Sequence, residues 1–310
     1  GAETSISTSA ASGQANQPSG ASSPLTQLSV PDAIARYPAL AGQVIVLGAA
    51  FSSIWIWSPF AKVKWLGAPS SESGHQKKTK SNRLPFDFAQ MKRSVDVRLV
   101  KLMLVGALMV VIADFGMIYA LAYSLNIGII DAMTTKFGNI WFVRTTVSFL
   151  MLAVILFVQV KITRRTKVER EGNDFSGRII GNPITSSRSI SDSELVTIMV
   201  VSIFALLTTS LMGHGAAISS GAQIAIAIDF IHNVSASIWI GGIFYLAFVV
   251  VPKLKDNKSL NGRVKNCILA IIIPRFSTLP VVVLGVIVIT GPFLLYFLED
   301  NLNLTLASLY

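Results

Sequence analysis

Between Arg36 and Lys62 the chain carries no Asp, Glu, Lys or Arg, and from Leu195 to Ile228 it runs 34 residues without one. Uncharged apolar runs of this length constrain the fold more than any other feature. About 20 apolar residues in a helix cross the hydrocarbon of a bilayer. Only helices and closed barrels keep backbone polar groups satisfied there. The remaining runs repeat the pattern, at about Val97–Leu121, Ile140–Val160 and Phe276–Leu298. The 34-residue run is too long for one span and is broken at Gly213-His214-Gly215. It predicts span four at 195–213 and opens span five, which runs from about Ala225 to Val251 and stops at Pro252. The first run, with Trp55 and Trp57 where an aromatic belt would sit, makes six. Composition agrees. Charged residues are 14% of the 310, against roughly 25% in a soluble domain, and mean hydropathy is +0.61. The expected fold is an all-α, polytopic transmembrane helical bundle of about six spans in the plasma membrane.

The net charge of +10 would suit a nucleic-acid binder until the charges are placed. Lys and Arg number eight in 61–97, seven in 161–194 and six in 252–275. The alternate segments 1–37, 122–139, 214–224 and 299–310 hold one, one, none and none. The positive-inside rule puts the three basic loops in the cytoplasm and the N-terminus outside. No nucleic-acid partner is expected, and the Gln76–Lys80 run reads as an orientation signal touching anionic lipid. Residues 1–27 are Ser, Ala, Gly, Gln and Thr with little apolar content, so 1–35 is expected to be a flexible extracytoplasmic linker. Residues 253–275 are expected to include a short interfacial helix, and 299–310 an outer tail.

Polar groups inside a membrane are costly, so each needs a reason. Span two carries Asp114 and span three Arg144. Span four ends on Met212-Gly213-His214, and span five opens with Asp229 and His232. At ~1.5 Å rise per residue Asp114 lies roughly 24 Å from Arg98, near the level of Asp229 and His232. Asp229 and His232, three apart, share a helical face. The carboxylate would hold one ring nitrogen of His232 and leave the other for a metal. His214 would converge on it across a tight turn, with Met212 adding a thioether. Imidazole and thioether suit copper, above all Cu(I). Met117 offers a second thioether, and Trp239 would pack beneath the site. Simpler readings stand beside these. His214 also fits a helix end near water, and Asp229 with His232 fits a satisfied buried pair. Asp114 and Arg144 read as a structural or supporting ion pair between spans rather than a catalytic one. Most methionines read as filler. Cys267 alone excludes an internal disulfide framework, and His75 reads as a solvated loop residue. No Walker loop, Rossmann glycine run or Ser-His-Asp arrangement is present, and no enzymatic role is expected.

The order of these motifs resembles the CopD copper-resistance membrane proteins. Asp229-Phe-Ile-His232-Asn-Val-Ser-Ala-Ser-Ile-Trp239-Ile-Gly241-Gly242 is similar to that family's signature helix. Gly213-His214-Gly-Ala-Ala, Thr135-Lys-Phe-Gly138-Asn-Ile-Trp141-Phe-Val-Arg144, Arg275-Phe276-Ser277 and Thr290-Gly291 resemble other parts of it, over about residues 36–298. The resemblance implies copper uptake across the plasma membrane, with copper homeostasis or resistance as its purpose. It also implies a CopC-like periplasmic copper-binding domain or protein as partner, and a copper role for His214 and His232. The family usually has about eight spans. Thr305–Tyr310 reads as the lead-in to another, so the resemblance implies a fragment or a shortened relative. Two other functions fit the same residues. One is a b-type haem electron carrier with His214 and His232 as axial ligands. The other is an accessory subunit of a membrane enzyme complex.

Overall fold

The computed structural model describes residues 30–57, 88–175, 190–213, 221–256 and 262–298. Among these every regular element is helical, and six helices are long and apolar enough to cross a membrane. The chain is an all-α polytopic bundle. Its elements are α1 (Val30–Trp57), α2 (Phe88–Leu125), the short α3 (Ile129–Met133), α4 (Lys136–Phe175), α5 (Asp192–Leu211), α6 (Ala222–Tyr245), α7 (Val251–Asp256) and α8 (Gly262–Leu298). A π turn, Leu246–Val250, joins α6 to α7 without a break. The helix ends that flank the basic segments, tied to one another through Trp57–Tyr245, Arg98–Asp256, Lys161–Glu194 and Ile190–Asp96, define one end of the bundle, here called the basic end.

Helix boundaries differ from those expected. α1 starts at Val30, within the stretch read as linker; residues 1–29 lie outside the described residues. α2 and α4 run past the apolar run into the basic segments, because once a helix is nucleated each further residue adds one hydrogen bond and a charged side chain in water does not oppose it. Pro252 does not stop span five. It follows the π turn, whose last bond runs from the Val251 amide to the Leu246 carbonyl, and the helix continues through it to Asp256. No separate interfacial helix forms among the described residues of 253–275. Those residues divide between α7 and a single 37-residue α8 that tolerates Pro274, Pro280 and Pro292. α5 begins as its sequence directs. Ser191 accepts the Ser193 amide at 3.3 Å, and Glu194 accepts the Ser191 amide at 3.0 Å, a reciprocal cap on orphan donors.

α1 is the hub. It packs on α2, α5 and α6, α4 fills the space between α2 and α5, and α8 rests on α6. Of the apolar stretch of α1, 72% is buried, against 11% for α8. Lipid tails are as apolar as leucine, so membrane helices associate by close packing, which small residues allow. Two glycine crossings do this for α1. A Cβ on Gly48 would collide with the Ser237 carbonyl and lie 2.5 Å from Gly241 Cα; a Cβ on Gly42 would strike the Gly106 carbonyl and lie 2.7 Å from Val110. The basic end is tied separately. Arg98 pairs with Asp256 at 2.7 Å, Lys161 with Glu194, and the Ile190 amide donates to buried Asp96 at 3.0 Å. Deeper in, Trp57 Nε1 donates to the Tyr245 hydroxyl at 2.6 Å.

Substituting Gly48→Ala or Gly241→Ala should separate α1 from α6 and cost about 3 kcal/mol, the upper range for overpacking. Gly285→Ala, where nothing lies within 4 Å, should be neutral or mildly stabilising. Unfolding in detergent followed by tryptophan fluorescence checks both; equal effects at the two kinds of site would refute the crossing.

Candidate functional site

A layer of polar side chains crosses four helices. Asp114 on α2 is fully buried, and Arg144 on α4 is 2% exposed. Arg144 Nε donates to Asp114 Oδ1 at 2.7 Å, and Ser148 Oγ donates to Oδ2 at 2.6 Å. Arg144 Nη1 donates to Thr209 Oγ1 at 2.8 Å on α5. The Thr209 hydroxyl lies 2.8 Å from Gln43 Oε1 on α1, whose amide nitrogen donates to the Ala205 carbonyl at 3.3 Å. Trp141 Nε1 donates to the Asp114 carbonyl at 2.6 Å. An ion pair out of water repays its desolvation only when the remaining lone pairs and protons are also bonded. Both Asp114 oxygens are bonded here. The sequence pointed to Asp114 and Arg144. It missed Ser148 and Thr209, since Ser and Thr are common in membrane helices. Gln43 could have been found, because it is the one side-chain amide in the first uncharged run.

The last turn of α5 divides this layer from a second polar group. Consecutive helical residues point about 100° apart, so Thr209 faces α1 and α4 while buried Ser210 faces α6. Asn233 Nδ2 lies 3.5 Å from Ser210 Oγ and donates to Asp229 Oδ2 at 3.0 Å. A Cβ on Gly213 would lie 3.8 Å from the same Asp229 oxygen. Arg36 Nη1 donates to the Met212 carbonyl at 3.3 Å. The end of α5 is therefore held from α1, α4 and α6, and Gly213 abuts the Asp229 carboxylate. The next residue, His214, lies outside the described residues.

His232 takes a different partner from the one expected. Its Nδ1 is 2.9 Å from Thr290 Oγ1 on α8, while Asp229 engages Asn233. The same 100° step explains the split: on α6, Asn233 points toward α5 and His232 toward α8. Met212 packs with Leu121 and Phe137 against Ile118, Ala122, Ala132 and Trp141, on the α2–α4 side. Met117 is buried with Ala35, Ala39 and Ala113. Trp239 is half-buried two turns beyond His232. Among the described residues no three His, Cys, Asp or Glu side chains converge as a metal site. No protein-family model, curated protein or solved structure matches the chain.

Asp114→Ala strands a buried guanidinium and should cost about 3–5 kcal/mol, as should Arg144→Ala. The double variant should cost much less than their sum, because neither charge is left alone. Denaturant titration of the four proteins closes the cycle; additive losses would mean the pair does not act as a unit.

Proposed function

We propose that the protein takes up copper, as Cu(I), across the plasma membrane, receiving it at the end of the bundle opposite the basic loops. The orientation comes from the charge distribution, which puts the basic end in the cytoplasm and the N-terminus outside. The observation that carries the copper reading is the contact between the end of α5 and α6. Gly213, the neighbour of His214, abuts Asp229, one turn before His232. That contact sets the last described residue before His214 against the turn of α6 that leads to His232.

The local charge suits a cation. The carbonyl end of α5 carries partial negative charge, and the Asp229 carboxylate stands beside it. The donor types suit a soft one, since imidazole nitrogen with thioether sulfur favours copper over hard ions. His214 and His232 are the ligands we assign. Met212, packed in the Trp141 cluster, has a lesser part. Asp229 acts on the ion by charge rather than by holding His232. Asp114 and Arg144 support the frame that presents the corner. The resemblance to CopD proteins adds a CopC-like donor as the delivery partner.

Purified protein should bind Cu(I) in competition with a chromogenic chelator, and His214→Ala/His232→Ala should lose that binding. Unchanged stoichiometry and affinity in the double variant would end the copper assignment. A Soret band in the purified protein would replace it with a b-type haem carrier.

Orientation has its own test. A single cysteine at Ile130, 79% exposed in the short helix α3 opposite the basic end, in a Cys267→Ser background, should react with a membrane-impermeant maleimide added to intact cells. Labelling only after lysis would reverse the proposed topology.

A further inference from the structure

Thr290 has one proton to give, and its surroundings determine where it goes. Its Oγ1 lies 2.7 Å from the Val286 carbonyl and 3.3 Å from that of Ile287. Both are acceptors only. Turning the hydroxyl proton elsewhere would set two oxygen lone pairs against each other at 2.7 Å. The proton therefore points along α8 to Val286. What Thr290 presents to α6 is a lone pair, and His232 Nδ1 meets it at 2.9 Å. A bare Nδ1 there would repel it; an Nδ1–H completes the bond.

We infer that Thr290 holds the proton of His232 on Nδ1, so that Nε2 is the atom offered to an incoming metal ion. Thr290 is then a positioning residue on a helix that contributes no ligand of its own. The part played by the metal rests on the copper reading above, whereas the tautomer does not. Among the described residues Nε2 has no hydrogen-bond partner, so nothing there competes for its lone pair. A metal-binding imidazole whose other nitrogen donates to a fixed acceptor is a recurring pairing, because that bond sets both tautomer and ring orientation. Here a threonine hydroxyl fills the place that the sequence had suggested for Asp229. Asp229 is thereby left to Asn233 and the end of α5.

The test is nitrogen NMR of histidine-labelled protein in nanodiscs, with His232 assigned by loss of its signals in His232→Asn. Wild type should show a protonated, pyrrole-type Nδ1 and an unprotonated, pyridine-type Nε2. Thr290→Val, nearly isosteric, removes the acceptor and should release His232 into a mixture of tautomers. Thr290→Ser keeps the hydroxyl and should behave as wild type. A protonated Nε2 in wild type, or an unaltered spectrum in Thr290→Val, would overturn the inference. Should Thr290→Val not fold, the wild-type spectrum alone still decides. Added Cu(I) should move the Nε2 signal of His232, and Thr290→Val should weaken Cu(I) binding roughly 10- to 100-fold, the usual loss on removing such an outer partner. Movement of Nδ1 instead would overturn the assigned ligand atom. Wild type that shows the predicted tautomer yet binds no Cu(I) would support the role of Thr290 and refute the copper reading.

Discussion

The bundle depends on how closely α1 approaches its neighbours. Without water between membrane helices, association rests on packing and interhelical bonds, and contact at Gly48–Gly241 and Gly42–Gly106 brings backbone against backbone. The place of α6 follows from the first crossing, and with it the direction of every α6 side chain. Asn233 reaches α5 and His232 reaches α8 because α6 is fixed in rotation as well as position. Gly242 instead makes room for side chains, since a Cβ there would lie 2.7 Å from the Phe276 ring of α8 and from the Ser52 hydroxyl of α1.

Close packing sets distances, and the polar layer then sets register. A glycine crossing tolerates sliding along the helix axis. An ion pair bonded on both carboxylate oxygens does not, since a slip would strand charges away from water. Asp114, Arg144, Ser148, Thr209 and Gln43 fix α1, α2, α4 and α5 at one level. Ser210, one residue from Thr209, passes that register to α6 through Asn233 and Asp229. The corner assigned to copper is thus the far end of a bonded chain that begins at a structural ion pair.

The six spans were legible because 34 residues without a charge leave few alternatives, and the Asp114–Arg144 pairing was legible because two intramembrane charges of opposite sign need each other. Helix ends were not. Hydropathy reports where lipid ends, whereas α2, α4 and α8 continue into water on their own hydrogen bonds. Partner choice was hidden for another reason. Asp229 and His232 share a face by spacing, yet that face is wide enough for its two edges to meet different helices. Thr290, 58 residues away, is set by tertiary packing, and no local pattern announces it. The exchange of Asp229 for Thr290 as the partner of His232 is the difference that bears most on chemistry.

Between the polar layer and the basic end the interior is largely apolar, with Ser52, Ser53 and Ser202 buried in it. Leu99, Met103, Met151, Ile155 and Ile198 are buried in one cluster there, with Ser202 donating to Met151 Sδ at 3.5 Å. On the proposed uptake reading, a hydrated cation would cross such packing only if helices separate. The cost of separation is uneven. Opening α1 from α6 breaks backbone contact, and opening α2 from α4 breaks a buried ion pair. α8 is the least buried span and meets α6 largely through apolar contact. Its polar ties include the His232–Thr290 bond, a bond of 3.3 Å from Trp55 Nε1 to the Arg275 carbonyl and one of 3.3 Å from Lys265 Nζ to the Lys255 carbonyl. Lipid can replace apolar contact at little cost, whereas the His232–Thr290 bond is specific, so it marks the level at which α8 sits against α6.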